Sequence, residues 1–151
     1  MAGAANEGSN ELSKLGLLFA LLGAAVSLGA ADTFPAQLYE VTTETLMPHL
    51  EENLRYTTTH ERRCLAHLEL ASAFPILRHP ALQGCGLANE THKDDTVSYV
   101  LVCTGGHGTT GGAIWHIDGS RIRGTLSVKL GGKNMTFSQH ITALPLGACQ
   151  E

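Results

Sequence analysis

Ala113-Ile114-Trp115-His116-Ile117-Asp118-Gly119-Ser120-Arg121-Ile122-Arg123-Gly124-Thr125-Leu126-Ser127-Val128-Lys129-Leu130 is two alternating runs on either side of an Asp-Gly dipeptide. Ala113, Trp115 and Ile117 share one face, and Ile122, Leu126, Val128 and Leu130 share another. Period-two alternation marks strands with one buried face, and Asp-Gly is the dipeptide of tight hairpins, whose positive φ values match the twist of paired strands. Taking Asp118-Gly119 as a two-residue loop sets Trp115 opposite Ile122 and makes the apolar faces coincide. A three-residue loop would put Trp115 against Arg123, which the pattern rejects. Beyond Leu130, a turn at Gly132-Lys133 brings Leu130 to Met135 and Val128 to Phe137 as same-face pairs. The fold class that follows is mainly β: an antiparallel meander forming a curved sheet or a partly open up-and-down barrel.

Upstream, Val97, Tyr99, Leu101 and Cys103 alternate, as do Tyr39, Val41, Thr43 and Thr45. Leu54 to Cys64 is a more polar run, suited to an edge strand or a wet face. Between Leu65 and Leu82 the alternation stops. Leu65, Leu68, Ala71 and Phe74 fall at helical spacing, and Pro75 and Pro80 close the segment, which predicts one short helical crossover.

The four cysteines, Cys64, Cys85, Cys103 and Cys149, all follow the apolar run from Leu15 to Val26. That run is short for a membrane span, which needs about 20 apolar residues, and ends in small residues through Gly29-Ala30-Ala31. The pattern predicts a signal peptide over 1–31, cleaved after Ala31, ahead of a single secreted β domain over 32–151. Its flank carries one lysine, Lys14, against Glu7 and Glu11, so an uncleaved anchor is the alternative. Disulfides persist in oxidising compartments, and two of them suit a domain with a modest core. Four cysteines allow three connectivities. If Lys93-Asp94-Asp95 is a three-residue turn, His92 meets Thr96 and Cys85 lies across from Cys103. That selects Cys85–Cys103 and leaves Cys64–Cys149.

Without residues 1–31 the chain keeps nine basic and twelve acidic side chains, a net charge of −3. With no Lys/Arg run, nucleic acid is excluded as a partner. His60-Glu61-Arg62-Arg63-Cys64 ends in cysteine where a zinc-protease helix needs histidine, and it reads as strand. Gly105 to Gly112 lacks the Gly-Lys-Ser/Thr ending of a phosphate loop and leads into a strand, so it reads as a flexible connector. No Gly-x-Ser-x-Gly elbow exists, and Asp94 and Asp95 are turn residues. His116 and His140 face away from the apolar side of their strands. The sequence therefore assigns no catalytic residue, no metal ligand and no cofactor.

Several features recur together: Pro35 with Tyr39-Glu40-Val41, then Met47-Pro48, Cys64, the Cys85 to Cys103 bracket, the glycine-rich stretch to Gly112 followed by Asp118-Gly119-Ser120, and Gly147-Ala148-Cys149. In these the chain, from Thr33 to Cys149, resembles the bacterial periplasmic family known as domain of unknown function 3617 (DUF3617). It departs from that pattern where the family usually carries glycine and tryptophan, having Ala36 or Gln37 and Tyr39. The resemblance implies a periplasmic or secreted, disulfide-bonded, antiparallel β protein of a Gram-negative bacterium. It carries no functional residues over, because the family has no established activity.

The functional expectation is a non-enzymatic module binding a small apolar ligand, or an accessory protein. Tyr99, Trp115, Leu126, Val128 and Phe137 form the candidate ligand face. The alternative is a protein-interaction module using the strand edge from Arg55 to Cys64, with a periplasmic protein as partner. An enzyme or a metal-binding protein ranks below both, and histidines clustering with an acid in a pocket would revive the enzyme.

Overall fold

A computed structural model describes residues 34–48, 56–105, 108–132 and 135–149. The leader and its cleavage after Ala31 lie outside them, as do Arg55 at the start of the polar edge and Lys133 in the last turn. Among the described residues, seven strands form one sheet: β1 (Gln37–Leu46), β2 (Tyr56–Leu65), β3 (Cys85–Lys93), β4 (Thr96–Cys103), β5 (Thr110–Asp118), β6 (Arg121–Leu130) and β7 (Met135–Ala148). Every pairing is antiparallel, in the order β2-β1-β7-β6-β5-β4-β3. This is up-and-down barrel connectivity with one seam left open, between β2 and β3. Among the described residues, no helix is long and apolar enough to cross a membrane, which does not bear on crossing by strands.

The chain joining β2 to β3 lies over the apolar face. It makes three short 3₁₀ helices, His67–Ser72, Pro75–Arg78 and Pro80–Leu82. Leu70, Phe74 and Leu82 from this cover are fully buried with Trp115, Ile122, Leu126 and Ile141 from the sheet. Phe74 packs on Trp115 with ring centroids 4.8 Å apart. The buried Gln139 fastens the cover: its Oε1 accepts from Ile76 N–H at 3.2 Å, and its Nε2 donates to Thr45 Oγ1 at 2.8 Å. Arg63 Nη2 donates to the Ala73 carbonyl at 3.0 Å.

The crossover is present, but the face expected for it is wrong at one position. Leu68 is 87% exposed, and the inward positions include His67, Leu70 and Ala73. A 3₁₀ helix repeats every three residues. The correct phase therefore runs through His67, Leu70 and Ala73, one of which is not apolar.

Both disulfides form as expected, Cys85–Cys103 and Cys64–Cys149. The pairs Val128↔Phe137 and Leu130↔Met135 also form. Two registers differ. Trp115 faces Gly124 rather than Ile122, because Gly119-Ser120 makes the loop and Asp118 pairs with Arg121. Gly119 has φ +57° at the first loop position, where glycine carries no steric cost. The shift is two residues, so the apolar faces still coincide. It is favoured because the Trp115 ring lies on Gly124, where a Cβ would come within 2.5 Å of Cε3 and Cζ3.

The second difference lies at the Cys85–Cys103 hairpin. Lys93, not His92, pairs with Thr96, so the loop has two residues, Asp94-Asp95. That alone would misalign the cysteines by one. A β-bulge restores them: Asn89 and Glu90 together oppose Tyr99, between the pairs Ala88↔Val100 and Thr91↔Ser98. The expected cysteine register is right for an incomplete reason.

Candidate functional site

The bulge positions the most chemically distinctive group among the described residues. On β3, Leu87 lies opposite the buried Leu101. Simple alternation from Leu87 would turn Asn89, Thr91 and Lys93 inward. Asn89 instead adopts φ +55°, a left-handed conformation that asparagine tolerates better than most residues. The added residue turns Glu90 and His92 inward, with Glu90 beside Tyr99 and His92 opposite Val97. His67 reaches the same place from the first turn of the 3₁₀ cover.

The contacts are dense. His67 Nε2 lies 3.0 Å from Glu90 Oε1, and His92 Nε2 makes a short contact with the same oxygen. Tyr99 Oη donates to Glu90 Oε2 at 2.5 Å. The two imidazoles stack, with centroids 5.2 Å apart and planes 13° from parallel, and Phe34 meets His67 edge-on at 5.8 Å. Exposure is graded: His67 is buried, whereas the side chains of Glu90 and His92 are about one-third exposed.

Burial pushes the Glu90 carboxyl upward, but hydrogen bonds with Tyr99, His67 and His92 outweigh it and hold the group at about 2. Tyr99 is pushed well above its ordinary value, by burial first and then by the adjacent carboxylate. The arrangement is thus an ionised carboxylate clamped by a neutral phenol and two imidazoles. His67 Nδ1 is buried without a hydrogen-bond partner among the described residues. A buried N–H left unpaired is costly, so the ring carries its proton on Nε2, toward Glu90. One donor atom from each of His67, Glu90 and His92 falls within 4.8 Å of the others, a set able to hold a metal ion.

None of these three residues is a site candidate from sequence. His67 and Glu90 are 23 positions apart on different elements, so no motif spacing joins them. The only local signal is Glu90-Thr91-His92, an acid and an imidazole on one face of a strand.

The expected ligand face divides in two. Trp115 and Leu126 are fully buried beneath the cover, and Tyr99 is buried beside Glu90. Val128 and Phe137 reach a groove of about 420 Å³ at the end of the sheet, bounded also by Leu46, Pro48 and Thr110. His60, His116 and His140 lie on the opposite, solvent face, each beside a cross-strand threonine: Thr42 at 3.0 Å, Thr96 at 3.2 Å and Thr125 at 3.2 Å respectively. The polar strand β2 is an outer edge of the sheet, and Tyr56 on it is 69% exposed.

The chain matches no family model, no curated protein and no solved structure.

Proposed function

We propose that this protein is an exported binding or accessory module of the DUF3617 type, working without chemistry of its own in the periplasm or outside the cell once residues 1–31 are removed. The observation that carries the reading is the use of all four cysteines in two disulfides, which leaves no free thiol. Such bridges persist where glutathione and thioredoxin do not reduce them. The ligand is small and apolar, seated in the groove where Val128 and Phe137 meet Leu46.

Expression with the native leader tests the compartment. The expected product, recovered from the exported fraction, begins at Asp32 and yields two disulfide-linked peptides on non-reducing mapping. Four alkylatable thiols in native protein would overturn the reading. The ligand is tested by thermal shift against a panel of fatty acids and lipids. A stabilisation lost in Phe137→Ala supports the groove, and no shift across the panel removes it.

A second reading rests on β2, whose outer edge leaves backbone donors and acceptors unpaired within the sheet. Strand addition there would capture an extended protein segment. A stable partner pulled from the exported fraction, and lost on replacing Thr58 with proline, favours this reading; a partner-free monomer rejects it.

A further inference from the structure

The sheet has few ways to fasten its open side. Among the described residues no strand pairing between β2 and β3 closes the sheet, and the chain that links them makes three 3₁₀ turns over the apolar face. The first of those turns ends its approach at β3 on His67, and β3 spends its one bulge on turning Glu90 and His92 toward that residue. Three side chains from two elements therefore converge at the seam.

The donor types narrow what they hold. Two imidazoles and one carboxylate suit zinc and neighbouring first-row cations, whereas calcium and magnesium prefer all-oxygen shells. Thiolates do not compete, since every cysteine is oxidised. Three protein ligands with a fourth position left to water is a common zinc arrangement. The surroundings resemble those of known metal sites in one further respect. Tyr99 occupies Glu90 Oε2, orienting the carboxylate and leaving Oε1 toward the imidazoles.

We propose that His67 Nε2, His92 Nε2 and Glu90 Oε1 bind one divalent first-row cation of the zinc class, which clasps the 3₁₀ cover to the edge strand β3. Ligation through Nε2 takes each neutral imidazole in its other tautomer: the proton leaves Nε2 and Nδ1 gains one through solvent, with no net release. The buried, unpartnered His67 Nδ1 then carries an N–H whose cost the metal bond must exceed. Donors around a zinc ion at about 2.0–2.1 Å sit roughly 3.3 Å from one another. The present atoms fall within 4.8 Å, so the site closes by a small rotation of His92, whose ring is on the solvent side. Water fills the fourth position at the partly exposed mouth. The inference stands independently of the apolar groove and of the compartment.

The test is calorimetric titration of the whole oxidised protein, stripped with a chelator, with zinc chloride at neutral pH, together with visible absorption on adding Co²⁺. The expected result is one ion per chain, with the intense ligand-field bands of four-coordinate Co²⁺ and a rise in Tm on saturation. His92→Ala and Glu90→Gln should each weaken binding by about tenfold or more, while His140→Ala on the solvent face leaves it unchanged. His92 is exposed on an edge, so its variant retains the native circular dichroism even if Glu90→Gln does not fold. No heat and no Co²⁺ absorption at up to about 1 mM metal would overturn the proposal. Stoichiometric binding that survives His92→Ala, or that is lost equally in His140→Ala, would overturn it as well.

Discussion

Replacing Gly124 with alanine tests the packing logic of the sheet where an indole lies against bare backbone. The new Cβ would meet Trp115 at 2.5 Å from Cε3, 2.5 Å from Cζ3 and 2.7 Å from Cη2. Trp115 is fully buried and already packed against Phe74, with ring centroids 4.8 Å apart, so it has little room to withdraw. Overpacking of this kind costs about 1–3 kcal/mol. It exceeds the gain of up to about 1 kcal/mol that alanine brings over glycine through the unfolded chain. Gly86 is the internal control, because a Cβ there meets nothing within 4 Å. Each kcal/mol moves Tm by about 4 °C in a domain of this size. Gly124→Ala should therefore lower Tm by several degrees while Gly86→Ala holds or raises it. Urea unfolding followed by the fluorescence of Trp115, the one tryptophan in the chain, reports on the same contact. A Gly124→Ala protein as stable as Gly86→Ala, with an unshifted emission, would refute the account of why Trp115 lies opposite a glycine.

Three further outcomes are expected. Glu90 titrates at about 2 when folded and near 4.5 when not; its contribution is complete above the unfolded value and is lost as pH falls through the folded one. Metal-free wild type should lose stability from about pH 4.5 toward pH 2 more steeply than Glu90→Gln, and superimposable acid profiles would contradict this. Removing Cys64–Cys149, which closes a separation of 85 residues, should cost about 4–5 kcal/mol, and removing Cys85–Cys103, with a separation of 18, about 3 kcal/mol; chemical denaturation of the two double-alanine variants gives the order, and its reversal rejects loop entropy as the cause. Gln139→Leu leaves the Ile76 N–H and the Thr45 hydroxyl without their partner, at about 1–3 kcal/mol. Hydrogen exchange should show the Ile76 amide opening faster in that variant, and unchanged protection would deny Gln139 its role in holding the cover.

Alternation made most of the sheet legible, and it also explains the errors. A period of two fixes which face a residue takes but not which partner it meets. Trp115 could thus move from Ile122 to Gly124 with the apolar pattern intact. Choosing between those registers needed the volume of an indole against a missing Cβ, which is three-dimensional information. The Cys85–Cys103 pairing was reached through a turn one residue too long, and the bulge at Asn89 and Glu90 supplied the missing residue. Bulges leave little trace in sequence, because one asparagine with positive φ looks like any other. The cluster at Glu90 was hidden for the same reason, since unbroken alternation sends His92 to solvent. In the crossover, helical spacing found a real element, but the exposed Leu68 and buried His67 reverse what side-chain polarity suggests.

The strand order carries a consequence for how the molecule is put together. Strands β3 to β7 each pair with a neighbour adjacent in the chain, so that part can assemble in chain order. Strand β1 is different: one side meets β2 at once, and the other waits for β7. Until β7 arrives, the early hairpin exposes the flank that β7 will cover, and Cys64 waits for Cys149 just as long. Cys85 and Cys103 can oxidise while this happens. A chain entering an oxidising compartment N-terminus first would therefore acquire its bonds in a fixed sequence, short ring before long, and the interval between them is when a chaperone or a wrong strand has its opening.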